Sequence, residues 1–267
     1  MQWERLSTKD FIEAARTTGG VCVVPAGSLE RHGDHMPLGT DYLVAHRMCA
    51  LAAEREPAVV FPGFYLAQVC ESIASRGTVA LDPALIMQVV RGLFEEIARN
   101  GFRKILLVNG HGGNDPMWNL MAFSDMRQPR DYMVYYTRWY QADDKLQKLI
   151  NEDSQGRPTG HACEWETSIA MAMLGEDSVD LSRVPEQTVA PRTRSDGISG
   201  QAATGVDWFS HAPECYLGNA RHATAERGRR YAEFYIDRLA KLIHAVKDDQ
   251  ALPALQKEFY RRSHGAT

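Results

Sequence analysis

Apolar residues recur along the chain in two alternating forms: short unbroken runs, and longer stretches with helical spacing. The unbroken runs are "GVCVVPAGS", "PAVVFPGFYLAQ", "RKILLVNGHGGN" and "DYMVYYTRWY". A short apolar, β-branched run closed by Pro, Gly or Asn predicts a strand buried on both faces. The second run is interrupted by Pro62 and Gly63. Between the runs, "LSTKDFIEAARTTG" has a Ser/Thr cap signal and a Gly stop, and a helix is expected from Asp41 to Arg55. "DPALIMQVVRGLFEEIARNGF" combines an Asp cap, Pro in the first turn and Gly101 as a stop, and "TAERGRRYAEFYIDRLAKLIHAVK" carries the last helix. Strands alternating with helices predict an α/β fold with a mainly parallel sheet and helices on both faces, whose ligands gather where strands end. Residues 1–267 are expected to form one domain. Ser182 to Arg221, rich in Pro, Gly, Thr and Ser, reads as a long loop that covers something or meets a partner.

Composition narrows the function classes. Hydrophobic residues make up 44% of the 267, charged residues 24%, and the net charge is −4. That balance excludes a disordered chain, and the scattered Lys and Arg argue against nucleic acid or an acidic membrane surface as partner. Five cysteines without a CxxC pair fit a reducing compartment. The charged N-terminus "MQWERLSTKDF" lacks the apolar centre of a secretion signal, so a cytoplasmic protein with a small-molecule substrate is expected.

The polar side chains at the predicted strand ends change the picture most. Glu30, His32 and Asp41 follow the first strand in "GSLERHGDHMPLGTD", His111 leaves the third in "NGHGGN", and His161 and Glu166 lie in "HACEWETS". Taken alone, Glu30 and His32 also read as a solvated loop pair, and His111 among glycines as a hydrogen-bonding residue in a tight turn. Three carboxylates with two imidazoles suit Zn²⁺ or Mn²⁺ better than a thiolate set would. Were Asp41 to bridge two divalent ions, three carboxylates and one hydroxide would balance their charge.

"PAGSLERHGDHMPLGTD", "NGHGGN" and "HACEWETS" resemble, in order and separation, the three signature blocks of the creatininase (creatinine amidohydrolase) family, over about residues 20 to 180. That resemblance implies a three-layer α/β/α sandwich, a homohexamer and a binuclear Zn/Mn centre. It also implies roles. Glu30 and His111 would hold one ion, His32 and Glu166 the other, Asp41 would bridge them, and His161 would shuttle protons. The chain departs from the creatinine-hydrolysing members at Gly113, where they carry Glu, and at Arg157, where they carry Trp. Ser75 and Arg76 replace a Phe-Pro pair, whereas Trp139 resembles a substrate-side tryptophan. An intact metal site with an altered pocket is expected, with Arg157 and Arg76 favouring a carboxylate-bearing substrate over creatinine.

The expected activity is therefore metal-dependent opening of a cyclic amide or related C–N bond. A lactonase, peptidase or deformylase would share the metals. A non-catalytic metal- or partner-binding subunit is the alternative from another class, but it would need no spare His161. A cysteine hydrolase using Cys163 with His161 is disfavoured, because two residues so close at a helix start rarely align as nucleophile and base. Trp208 and Phe209, read as exposed, are expected at an interface or on a lid.

Overall fold

The run Val21–Ala26 forms β1, and all six of its residues are buried. It pairs in parallel with β2 (Val59–Val60) on one side and with β3 (Lys104–Asn109) on the other, and β3 pairs in parallel with β4 (Met133–Arg138). The order is β2-β1-β3-β4. These assignments come from a computed structural model that describes residues 1–186, 197–198, 201–202 and 204–263. Part of the expected loop from Ser182 to Arg221 lies outside the described residues.

Side-chain alternation explains why β1 and β3 are apolar throughout. Val21, Val23, Leu106 and Val108 enter one core with Met48, Tyr231, Tyr235 and Leu239, whereas Cys22, Val24, Ile105 and Leu107 enter a second with Phe94, Trp118 and Met121. Successive strand residues point to opposite faces, so a sheet covered on both sides needs apolar residues at every position. The first core is covered mainly by α2 (Thr40–Arg55), α5 (Asp144–Ser154), α6 (Glu164–Leu174) and α8 (Ala225–Asp248). The second lies beneath α1 (Thr8–Thr17), α3 (Pro83–Arg99) and α4 (Asp115–Ser124). The result is the expected helix–sheet–helix sandwich.

The caps predicted for α1 and α3 form, and α8 is capped in the same way. Ser7, Asp82 and Thr224 side chains accept backbone N–H bonds at the starts of α1, α3 and α8. The second strand is shorter than its apolar run, because Pro62 has no N–H to give the ladder. Pairing resumes at Phe64, whose N–H donates to the Pro25 carbonyl at 2.9 Å. Helices α4, α5 and α9 (Ala251–Ser263) were not anticipated, although Asp143 caps α5 by accepting from the Leu146 N–H at 2.8 Å. The short α7 (Asp207–His211) falls inside the expected loop. No helix among the described residues is long and apolar enough to cross a membrane.

Candidate metal centre

Because β1 and β3 are parallel neighbours, their exits open side by side. The loop after β1 is closed by the Glu30 N–H donating to the Leu38 carbonyl at 2.9 Å. It leads into α2, placing Asp41 in that helix's first turn, where free N–H groups favour a negative side chain. At the exit of β3, a Cβ on Gly110 would stand 2.8 Å from the Asp41 carbonyl oxygen and 2.9 Å from the Ala45 Cβ. A bare Cα at that point lets the strand end close on α2 and carries His111 to Asp41. Glu166 enters from the first turn of α6 and accepts the Ala162 N–H at 2.5 Å. Ala162 itself has φ of 55°, strained for a residue with a Cβ, at the bend between His161 and Cys163.

Two groups of ligand atoms result, Glu30 with Asp41 and His111, and His32 with Asp41 and Glu166, each within 4.8 Å across. Asp41 belongs to both. The His111 Nδ1 lies 3.0 Å from Glu30 Oε2 and 3.0 Å from Asp41 Oδ2, while its Nε2 lies 3.0 Å from the Gln68 carbonyl oxygen. His32 is arranged in the opposite sense: Nδ1 meets the Glu30 carbonyl oxygen at 3.0 Å, and Nε2 faces Asp41 Oδ1 at 3.0 Å and Glu166 Oε1 at 3.8 Å. A carbonyl only accepts, so each ring gives its proton to the backbone and turns its other nitrogen toward carboxylates. With the rings neutral, lone pairs would face lone pairs unless a proton or a metal ion stood between them. Such a geometry suits a cation between them.

The electrostatics agree. Glu30, His32, Asp41 and His111 are each at most 5% exposed. Burial alone would lower the His32 pKa, but Asp41, Glu166 and Glu30 overcome it and raise it to about 10. Burial likewise opposes protonation of His111, yet Glu30 and Asp41 hold its pKa well above the usual histidine range. Glu30, despite burial, is held down to about 2 by His161, His111 and His32, and Asp41 is lowered by His32 and His111. Two buried carboxylates, Glu30 and Asp41, with the half-buried Glu166 beside them, demand positive charge nearby. Glu30 Oε2 and His32 Nε2, each 3.0 Å from an atom of the cluster, make no hydrogen bond among the described residues. The donor set fits divalent ions of the Zn²⁺ or Mn²⁺ kind.

His161 stands at the rim. Its Nε2 is 3.1 Å from the Arg31 carbonyl oxygen and 3.9 Å from Glu30 Oε1, and its ring lies 4.2 Å from the His32 ring. Glu30, His32 and His161 also form a third group of ligand-type atoms. Sequence reading missed several contributors. Ser28 donates to Asp41 Oδ2 at 2.6 Å and Ser72 to Glu30 Oε1, both buried. His35 is not among these ligand groups; it braces the bend at Ala162 and Thr167. Burial, with the nearby His32 and His161, lowers its pKa to about 4, against the opposing pull of the Ala162 carbonyl. Trp208, expected to be exposed, is half-buried with its ring edge-on to His161 at 5.4 Å, and its indole N–H has no partner among the described residues. The Tyr140 hydroxyl is buried beside Gly112, with no hydrogen-bond partner among the described residues. Only the aromatic character of these two residues was visible beforehand.

Three expected substrate contacts fare differently. Trp139 is 3% exposed and enclosed by Tyr140, Trp165 and Tyr235, so it is a core residue and not a pocket wall. Arg157 is also corrected. Its guanidinium clamps the buried Glu164 through two bonds of 2.8 and 3.0 Å and donates to the Asp153 carbonyl at 2.7 Å, which leaves little for a substrate carboxylate. Arg227 meets the same Glu164. Arg157→Ala is therefore expected to lower stability by about 1.5–3 kcal/mol, the scale of a charge-assisted bond, with KM almost unchanged. Urea unfolding and steady-state kinetics check this. Arg76 is exposed and has no ion-pair partner among the described residues. Cys163 is fully buried and its thiol is pushed up to about 11 by burial, which removes it as a nucleophile.

Comparison with known proteins converges on one family. Creatinine amidohydrolase of Pseudomonas putida is 28% identical over 244 residues, covering 86% of this chain and 91% of that one. The 3-dehydro-scyllo-inosose hydrolase of Thermotoga maritima is 25% identical over 241 residues, covering 85% and 77%. A solved creatininase in a manganese form superposes with a TM-score of 0.78 at 26% identity, covering 93% of this chain and 99% of that chain. The family model for creatininase, creatinine amidohydrolase, matches residues 4–243, a span that includes every ligand-type residue at the two strand exits and on α6. The chain belongs to the creatininase family.

Proposed function

We propose that this protein is a hydrolase that opens a cyclic amide or a related C–N bond with the help of two divalent ions, Zn²⁺ and/or Mn²⁺. The observation that carries the reading is the pair of ligand groups sharing Asp41, each with a histidine that sets one ring nitrogen against a backbone carbonyl and the other toward the carboxylates. Glu30 and His111 would hold one ion, His32 and Glu166 the other, with Asp41 common to both. A bound pair supplies an activated water at neutral pH and polarises a carbonyl. The chain's own residues do the rest. Ser28 and Ser72 orient the Asp41 and Glu30 carboxylates, which keeps both from rotating away. His161, beside the ligands and in contact with the rim, is placed to carry a proton to the departing nitrogen. Trp208 shields that ring from water.

Creatinine is not proposed as the preferred substrate. Trp139 offers no face to a flat ring, and a further tryptophan of the creatinine enzymes is replaced by the structural Arg157. With Arg157 engaged, the case for an anionic substrate rests on Arg76 alone. Lactonase, peptidase and deformylase activities stay within the same reading, since they would use the same centre. The decisive experiment measures Zn and Mn content in protein loaded with each metal. It then screens cyclic amides, lactones and formamides, creatinine included. Protein that binds no divalent ion and hydrolyses none of them would sink the proposal.

A homohexamer is proposed with it, in a reducing, cytoplasmic setting. Phe123 is 77% exposed, and Leu252, Leu255 and Phe259 lie exposed on α9, which packs beside the sheet-edge strand β4; apolar surface of this kind favours self-association. All five cysteines are unpaired thiols. A monomer by light scattering at micromolar concentration would refute the assembly.

A further inference from the structure

Gly113 lies one residue beyond Gly112 in the turn after His111. A Cβ built on it would stand 2.1 Å from Glu71 Oε1, 2.5 Å from His111 Nε2 and 3.0 Å from the Gln68 carbonyl oxygen. Glu71 arrives from a different part of the chain, the turn Cys70–Ser72. Its carboxylate fills the space that any side chain at position 113 would need.

The carboxylate is held there by a closed ring of bonds. Gln68 Nε2 donates to Glu71 Oε2 at 2.9 Å and to the Gly113 carbonyl at 3.1 Å. The Gln68 side-chain oxygen accepts from the Cys70 N–H at 3.0 Å, and its backbone N–H donates to Asn114 Oδ1 at 2.9 Å. The one remaining polar group of Gln68, its backbone carbonyl, receives His111 Nε2 at 3.0 Å. Glu71 Oε1 lies 3.6 Å from that same nitrogen. Ser72, the next residue, reaches Glu30, so the turn is pinned to the centre at a second point.

We propose that Glu71 is a positioning residue for His111. Together with Gln68 it braces the Nε2 side of the ring and sets a fixed negative charge behind it, which directs a more basic Nδ1 toward Glu30 and Asp41. A carboxylate behind a ligating imidazole orients the ring and strengthens its hold on a cation. Gly113 is the other half of the device, because only a residue without a side chain leaves room for it. The inference rests on the metal-centre reading above and goes beyond it, since Glu71 belongs to neither ligand group.

The test titrates metal-free protein with Zn²⁺ against a chromophoric chelator, for wild type, Glu71→Gln, Glu71→Ala, Gly113→Ala and the Glu71→Ala/Gly113→Ala pair. Far-UV circular dichroism and melting verify that each is folded. Wild type should take up two ions. In Glu71→Ala one of the two affinities should fall about 10- to 100-fold while the other stays put, a selectivity that general loosening would not give. Gly113→Ala should weaken the same ion by displacing the carboxylate and pressing on the His111 ring itself. The double variant should lose less than the sum of the two single losses, because both act on the one ring of His111. Glu71→Gln, near in shape but uncharged, should show part of the loss, and it keeps the test decisive if the alanine variant unfolds. Wild-type affinity at both positions in folded Glu71→Gln and Glu71→Ala would overturn the proposal and leave the metal centre standing. Failure of wild type to bind Zn²⁺ would instead overturn the metal centre and this inference with it.

Discussion

Replacing Asp41 with alanine should strip the protein of its divalent ions and abolish hydrolysis. Asp41 is the one carboxylate shared by the Glu30–His111 group and the His32–Glu166 group: Oδ1 faces His32 and Oδ2 faces His111, with Ser28 fixing the second oxygen. Without it, Glu30 with His111 and Glu166 with His32 remain as two incomplete pairs. Neither supplies the three protein ligands usual for a catalytic zinc. Ion content is expected to fall from about two per chain to less than one, and turnover by a hundredfold or more. Asp41→Asn is the companion variant. It keeps the volume and a contact for Ser28 while removing the charge, so it should fail in the same way if charge and bridging are what matter. Elemental analysis of folded, metal-supplemented protein reads the first effect and a hydrolysis assay the second. Retention of both ions and of activity in Asp41→Ala would show that Asp41 does not bridge.

The His161→Ala variant should behave differently, keeping its ions while turnover falls by roughly a hundredfold or more, the usual scale for a lost general acid. Two observations compete here. His161 lies close enough to Glu30 and His32 to join a ligand group, which would make it a third ligand for one ion. Its Nε2, however, lies closer to the Arg31 carbonyl, at 3.1 Å, than to any carboxylate, the nearest being Glu30 at 3.9 Å. The ring also stacks on His32 and meets Trp208 edge-on, so it is oriented without needing a metal. Metal content measured beside turnover separates the two roles. Loss of an ion in His161→Ala would make His161 a ligand and leave the proton carrier to be found elsewhere.

The residues that carry these predictions were visible before the fold was known, and the reason is local. Buried parallel strands must be apolar on both faces, so the runs at Val21–Ala26 and Lys104–Asn109 announced themselves, and the polar clusters directly after them marked the ligand end of the sheet. Caps at Ser7 and Asp82 were equally legible, since each bond spans only a few residues. Side-chain direction and long-range partners were not. Trp139 follows β4 directly, yet whether its ring faced a pocket or the core depended on Trp165 and Tyr235, which come from helices far along the chain. Arg157 looked free because nothing in its neighbourhood of the sequence says that Glu164 turns inward, or that Arg227 meets it there. Glycine at 113 read as the loss of a side chain. Its meaning emerged only when Glu71 was seen to occupy the vacated space. A sequence determines which chemistry is present and which strand ends present it, because periodicity and capping act over a few residues. Which groups face one another across those ends is decided by packing between elements distant in the chain.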